Sequence, residues 1–113
     1  MQPFRLTERN VRSGCLEILV EGEVDLAVAD QLEQTLARAS QYQEVLIGLQ
    51  ACEFVDSSAI ASIVKAHNMM GAAGRRVAIY GATGQVHRIL SITGLTENGL
   101  VFATLDEALS ETS

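Results

Sequence analysis

The chain has no tryptophan, three phenylalanines, two tyrosines and a single proline. With aromatics at 4%, bases would find almost nothing to stack on, which argues against a single-stranded nucleic acid ligand. Cations are scarce too. Eight Lys and Arg stand against fourteen Asp and Glu, for a formal net charge of −6. The few cations form no cluster, so no basic patch is expected to meet a phosphate backbone. No apolar run approaches the roughly 18 residues of a membrane span. Arg5, Glu8, Arg9, Arg12 and Glu17 interrupt the first twenty residues, so neither membrane insertion nor a secretory leader is expected. The two cysteines, Cys15 and Cys52, have no Cys/His cluster around them and make no metal set. Both lie in or beside apolar strand candidates, where reduced, buried packing thiols of a cytoplasmic chain are expected.

What is present is an apolar, patterned chain. At 113 residues and 48% hydrophobic, it is expected to form one domain, residues 1–113, around one continuous core. Pro3 to Arg9 is expected as a short edge strand. Cys15 to Gly22 has strand composition, with a turn at Gly14 before it and a break at Gly22-Glu23-Val24-Asp25 after it. From Leu26 the period changes. Ala29, Leu32, Leu36 and Ala39 recur at helical spacing, with Asp25 as a plausible N-cap. Gln43 to Leu49 is a continuous apolar strand of the kind buried on both faces. Arg76 to Tyr80 and Leu100 to Ala103 are further strands. Thr83 is placed to cap a helix with Val86, Ile89 and Leu90 turned inward and Gly94 as its stop. Thr104 to Glu107 has the pattern of a capping box opening a last helix. Strands and helices alternating at these lengths imply helices packed on a mostly parallel sheet, with an antiparallel edge from the first two strands.

The most informative segment runs from Cys52 to Val64. Its Asp56-Ser57-Ser58 opens a helix expected to run from about Ser57 to Gly71 and to end at Gly71 and Gly74. Advancing 100° per residue from Ser58, Ile60, Ile63, Val64 and His67 fall on the far, core side. Ser62, Lys65 and Met69 return to within about 40° of Ser58. An exposed stripe of Ser58, Ser62, Lys65 and Met69 is therefore expected, with Met70 inward. Hydroxyls at a helix N-terminus serve in one of two ways. They cap the helix, or they accept a phosphoryl group where backbone N–H groups and the helix dipole favour negative charge. The local sequence leaves both open, with Ser57 expected as the hydroxyl more occupied by capping.

Three patches together resemble the anti-sigma factor antagonist family, the small stand-alone members of the STAS domain group. Gly22-Glu23-Val24-Asp25 is similar to the family's Gly-Glu-Leu-Asp turn. Phe54-Val55-Asp56-Ser57-Ser58-Ala59-Ile60-Ala61 is similar to its Asp-Ser-Ser-Gly-Leu-Gly signature. Leu90-Ser91-Ile92-Thr93-Gly94-Leu95 is similar to its closing Thr/Ser-Gly-Leu segment. The resemblance spans essentially the whole chain. It implies a STAS fold: a mostly parallel four- to five-stranded sheet with an antiparallel edge and helices mainly on one face. It also implies a non-enzymatic regulator that binds an anti-sigma factor of serine-protein kinase type and so releases a sigma factor. Phosphorylation by that kinase would end binding, and a serine phosphatase would restore it. Carried over by position, the phosphoacceptor is Ser58, Asp56 and Ser57 shape its loop, and Asp25 lies near it on the binding surface; with Ser62 and Met69 of the exposed stripe these are expected to make up the partner surface. Ala59 and Ala61 stand where the family often has glycines, and their methyl groups are expected to narrow a kinase's approach. The alternative from another class is an unphosphorylated STAS subunit of a larger sensory or membrane-transport assembly, with the serines acting only as helix caps.

Other constellations are set aside. His67 falls on the far side of its helix from Ser58, so a Ser-His-Asp triad has no geometry, and the Gly-x-Ser-x-Gly elbow is missing. His87 is expected in solvent. Gly81-Ala82-Thr83-Gly84 lacks the lysine and spacing of a P-loop and is expected as a turn. No cofactor is expected.

Overall fold

A computed structural model describes residues 3–97 and 99–110. In chain order it contains strands β1 (Arg5–Arg12) and β2 (Cys15–Val24), helix α1 (Leu26–Ala39), strands β3 (Glu44–Gly48) and β4 (Cys52–Val55), and helix α2 (Ser57–Ala72). Then follow strand β5 (Arg76–Tyr80), helix α3 (Gly84–Ile92), a 3-10 turn (Leu95–Glu97), strand β6 (Val101–Phe102) and helix α4 (Leu105–Ser110). The main sheet runs β1-β2-β3-β5-β6, and β4 pairs with the far end of β2. Only β1 is antiparallel to its neighbour; β2 with β3, β3 with β5 and β5 with β6 are parallel. This is the expected mixed sheet with one strand more.

The extra strand comes from the two ends of β2. Its first half pairs with β3, from Cys15 opposite Glu44 to Leu19 opposite Gly48. Its last residues leave β3 and pair with β4, with Glu23 opposite Phe54 and Val24 opposite Val55. The expected break at Gly22 is therefore corrected. Gly22 adopts φ 87°, the register shifts beside it, and the strand continues to Val24. Four residues, with Glu53 exposed and Phe54 half-buried, gave no alternation by which β4 could be found in advance.

Alternation along β2 divides the core into two. Leu16, Ile18 and Val20 face α1, α2 and α3, where Leu32, Leu36, Ile63, Met70 and Leu90 complete the main core. On the other face Cys15, Leu46, Ala78 and Tyr80 pack with Ala108 of α4. Helices thus lie mainly on one face, as expected. Thr104 opens α4 as foreseen: its Oγ1 accepts from Glu107 N at 3.2 Å, and Glu107 Oε1 reaches back to Ala103 N at 3.1 Å. Thr83 precedes α3 but makes no side-chain cap bond.

Two corrections concern α2. The helix runs through Gly71 to Ala72, and Gly74 alone ends it, at φ 76°. Arg75 N closes on Met70 O at 2.8 Å and Gly74 N on Gly71 O at 3.1 Å, the paired bonds of a Schellman stop. The buried face is Ala59, Ile60, Ser62, Ile63, Ala66 and Met70, rotated from the expected one. Val64 and His67 sit at its half-buried margin. The small Ala59 and Ala66 let the helix lie close on the sheet, so they, and not the larger Val64, take the innermost positions.

Candidate functional site

The end of β2 and the end of β4 are parallel partners, so the helices that follow begin side by side. Asp25 and Asp56 are both N-caps with nearly identical backbone, φ −98°, ψ −176° and φ −102°, ψ −179°. Asp25 Oδ1 accepts from Ala27 N at 3.0 Å, and Asp56 Oδ1 accepts from Ala59 N at 3.1 Å. Asp56 N in turn donates to Val24 O at 3.0 Å, fastening one helix start to the other. Leu26 and Ser57 are the first residues of these two adjoining helices.

This arrangement answers the capping question. The N-terminus of α2 is capped by the Asp56 carboxylate. Ser57 and Ser58 are the first two residues inside the helix, so neither hydroxyl is the cap. Ser57 is exposed and Ser58 half-buried. The expectation of Ser57 as the occupied hydroxyl is therefore corrected: it is the more open of the two.

The outward stripe also differs from expectation at two residues, the half-buried Ser58 and the buried Ser62. Ser62 is 7% exposed, and its Oγ donates to Ser58 O at 3.1 Å. It props the Ser58 backbone from within the helix and does not join the exposed surface. Ala61, Lys65 and Met69 are exposed, and Lys65 Nζ meets Glu33 Oε1 of α1 at 3.7 Å. Of the two alanines at glycine positions, Ala59 is fully buried, so its methyl group fills the core and leaves the approach to the serines clear. Only Ala61 adds a methyl group to the surface.

The surroundings are acidic. Between Gly22 and Ala37 and between Gln50 and Val64 the chain has no Lys or Arg, yet it carries Glu23, Asp25, Asp30, Glu33, Glu53 and Asp56. Sequence reasoning missed Leu26, which is 74% exposed. Its place at the first helical position, ahead of the apolar period, was the available signal.

His67 is nine residues from Ser58, about 13.5 Å along the helix and on its opposite side. His87 is exposed, as expected. Both cysteines are free and buried. Burial pushes the Cys15 thiol up to about 12 and the Cys52 thiol to about 11, so both are poor nucleophiles near neutrality. No group of His, Cys, Asp and Glu suited to a metal ion occurs among the described residues. No described helix is long and apolar enough to cross a membrane.

Fold and site thus define a small α/β domain that presents two capped helix starts, a pair of serines and an acidic surround. A family model described as the STAS domain matches residues 7–108, and the chain belongs to the STAS domain family. A curated relative, the anti-sigma F factor antagonist of Paenibacillus polymyxa, is 25% identical over 101 residues, covering 87% of this chain and 86% of the relative. Among solved structures, an anti-sigma factor antagonist from Mycobacterium paratuberculosis superposes with a TM-score of 0.87 at 22% identity, covering 96% of this chain and 93% of its own. The Bacillus cell fate determinant SpoIIAA in its phosphorylated form superposes with a TM-score of 0.76 at 17% identity, covering 96% and 100%.

Proposed function

We propose that this chain is an anti-sigma factor antagonist whose binding surface is switched by phosphorylation of Ser58. On this reading the unmodified chain binds an anti-sigma factor of serine-kinase type in the cytoplasm and frees a sigma factor. The kinase then modifies Ser58 and the complex dissociates; a serine phosphatase resets it. The chain itself acts as a binding protein and performs no catalysis. The observation that carries the reading is the capping geometry. Asp56 already holds the helix start, so a serine pair in the first turn is left without a structural task that a hydroxyl is needed for. The relatives' names and the phosphorylated form of SpoIIAA support the same direction. Asp25, Asp56, Ser57, Ser58 and Met69 form the proposed surface, and Ser62 contributes by holding Ser58.

The consequence of modification follows from charge. A phosphoserine adds about −1.5 to −2 charges. At a helix N-terminus that charge is tolerated, so the fold persists. Against a partner it lies beside Asp25 and Asp56 and must be desolvated without a cation of its own. An unpaired buried charge costs about 3–5 kcal/mol, which is at least a hundredfold in affinity.

The test is intact-mass spectrometry of the chain from its native cells, with site localisation and identification of co-purifying proteins. A gain of about 80 Da, the mass of one phosphate, at Ser58 together with a kinase-type partner supports the proposal. Modification at Ser57 instead would move the acceptor by one residue. An unmodified chain in a stable multi-subunit complex would contradict the switch and favour the constitutive-subunit reading.

A further inference from the structure

We infer that Leu26 is the apolar anchor of the partner surface, and that the partner presents a leucine-sized pocket rimmed by Arg or Lys. The inference rests on the proposed function and specifies the chemistry of the partner that the same surface takes.

Leu26 is the first residue of α1, directly after the cap Asp25. Helix formation alone asks nothing apolar of this position. Its side chain is not folded onto the core, and 74% of the residue is exposed. A leucine left in water forgoes the free energy of its burial, which is available to whatever covers it. A single surface leucine is by itself ordinary in a soluble protein, so position and charge carry the argument. Asp56 N donates to Val24 O at 3.0 Å, so the start of α1, which opens on Leu26, adjoins the start of α2, which opens on Ser57. Asp25 and Asp56 stand next to these two residues, and Asp30 follows Leu26 one helical turn on. The strands that feed the two helices add Glu23 and Glu53. Among the described residues none of these five carboxylates takes part in an ion pair; Arg5, Arg9, Arg12, Arg38, Lys65 and Arg76 are engaged with Glu21, Glu17, Glu44, Glu8 and Glu33. An apolar side chain within unpaired carboxylates complements an apolar pocket within cations. Ile92, 77% exposed near the end of α3, lies in a segment with no such acidic surround. It serves as the internal control.

The same surround explains how modification at Ser58 and the apolar contact would cooperate. Phosphate on the first turn of α2, next to the start of α1, would hold water where the pocket must close dry. It would also compete for the cations of the rim.

The experiment uses the full chain and the kinase-type regulator found with it in native cells, produced separately as the probe. Binding is measured by calorimetry for the wild type, Leu26→Ala and Ile92→Ala, at two salt concentrations. Leu26→Ala is expected to weaken binding about tenfold or more, as truncation of a buried anchor does, while its circular dichroism stays native. Ile92→Ala is expected to bind as the wild type does. Higher salt is expected to weaken the wild type, because the rim is charged. Binding by Leu26→Ala within twofold of wild type would overturn the inference and leave the proposed function standing. A wild type that binds no such regulator would overturn both. Sedimentation of the wild type alone covers a second copy as the occupant. Self-association abolished by Leu26→Ala would make the anchor a dimer contact and overturn the inference.

Discussion

At the residue scale, the buried carboxylate Glu17 is tightly held and carries no part of the proposed function. Glu17 is fully buried in β2. Arg9 Nη2 lies 2.5 Å from its Oε1, and the Tyr80 hydroxyl donates to its Oε2. Tyr80 reaches it by crossing over Gly48, where a Cβ would stand 2.5 Å from the hydroxyl oxygen and 2.9 Å from Leu19 Cδ2. Gly48 is therefore glycine for space, since its φ is not positive. Tyr80→Phe would leave one buried carboxylate oxygen without its donor. It is expected to cost about 1–3 kcal/mol in urea unfolding. Burial and the bond to Glu17 push the Tyr80 phenol up to about 12 from 10. A group whose folded pKa is raised contributes stability that is intact below its unfolded value and lost as pH rises through the folded one. Titration of absorbance at 295 nm is thus expected to show one phenol ionising near 12. The stability that Tyr80 contributes is expected to fade between about pH 10 and pH 12, a decline missing in Tyr80→Phe. The cysteines follow the same sign: neither is expected to react promptly with a thiol reagent at neutral pH, and both should react after denaturation. From the sequence, the two buried thiols were legible because they sat in apolar strands. Glu17 was not, because a carboxylate in a strand ordinarily marks the solvent face, and its partners lie far away in the chain.

At the element scale, the site is made by two helix starts that repeat one design. Each begins on an Asp cap immediately after a strand, and the two strands are parallel partners, so the caps come out adjacent. Asp56→Ala is expected to cost about 1 kcal/mol of stability; Asp56→Asn, which keeps an acceptor oxygen, is expected to cost far less. Chemical denaturation of the two variants measures this. The end of α2 offers a paired prediction. Gly74→Ala is expected to destabilise by about 1 kcal/mol, because φ 76° there suits glycine. At Gly71, inside the helix, an added methyl group would meet nothing within 4 Å. Gly71→Ala is therefore expected to stabilise by up to about 1 kcal/mol. Asp25 was legible as a cap because an apolar helical period begins right after it. The Asp56 cap was hidden by the serines that follow, since Asp and Ser both cap helices and only the folded geometry separates them. Strand β4 was hidden because four residues with a register shift show neither alternation nor a long apolar run.

At the scale of the whole molecule, the fold keeps its charges apart. Arg9, Arg12 and Arg76 hold the buried Glu17 and Glu44, while among the described residues the carboxylates at the helix starts stay unpaired. Arg12 Nη2 and Arg76 Nη1 also donate to Leu109 O and Ala108 O at 3.4 and 3.2 Å, fixing α4 against the sheet. Local substitution at Ser58 should therefore leave both cores alone. Ser58→Asp is expected to give native circular dichroism and an unfolding midpoint close to wild type while weakening partner binding; undiminished binding by a folded Ser58→Asp would count against the switch. The general architecture was legible from alternation and period. The location of the candidate site was proposed from three short patches in order. Its outward composition was not legible, because a rotation of α2 by a fraction of a turn decides whether Ser62 or Ala61 faces outward.

The most direct test of the central claim is the affinity of the kinase-type regulator for the chain phosphorylated at Ser58, compared with the same chain unmodified, both shown by intact mass to be homogeneous. The account predicts a loss of at least a hundredfold on phosphorylation, reversed by a serine phosphatase. Equal affinity for the two forms would contradict it.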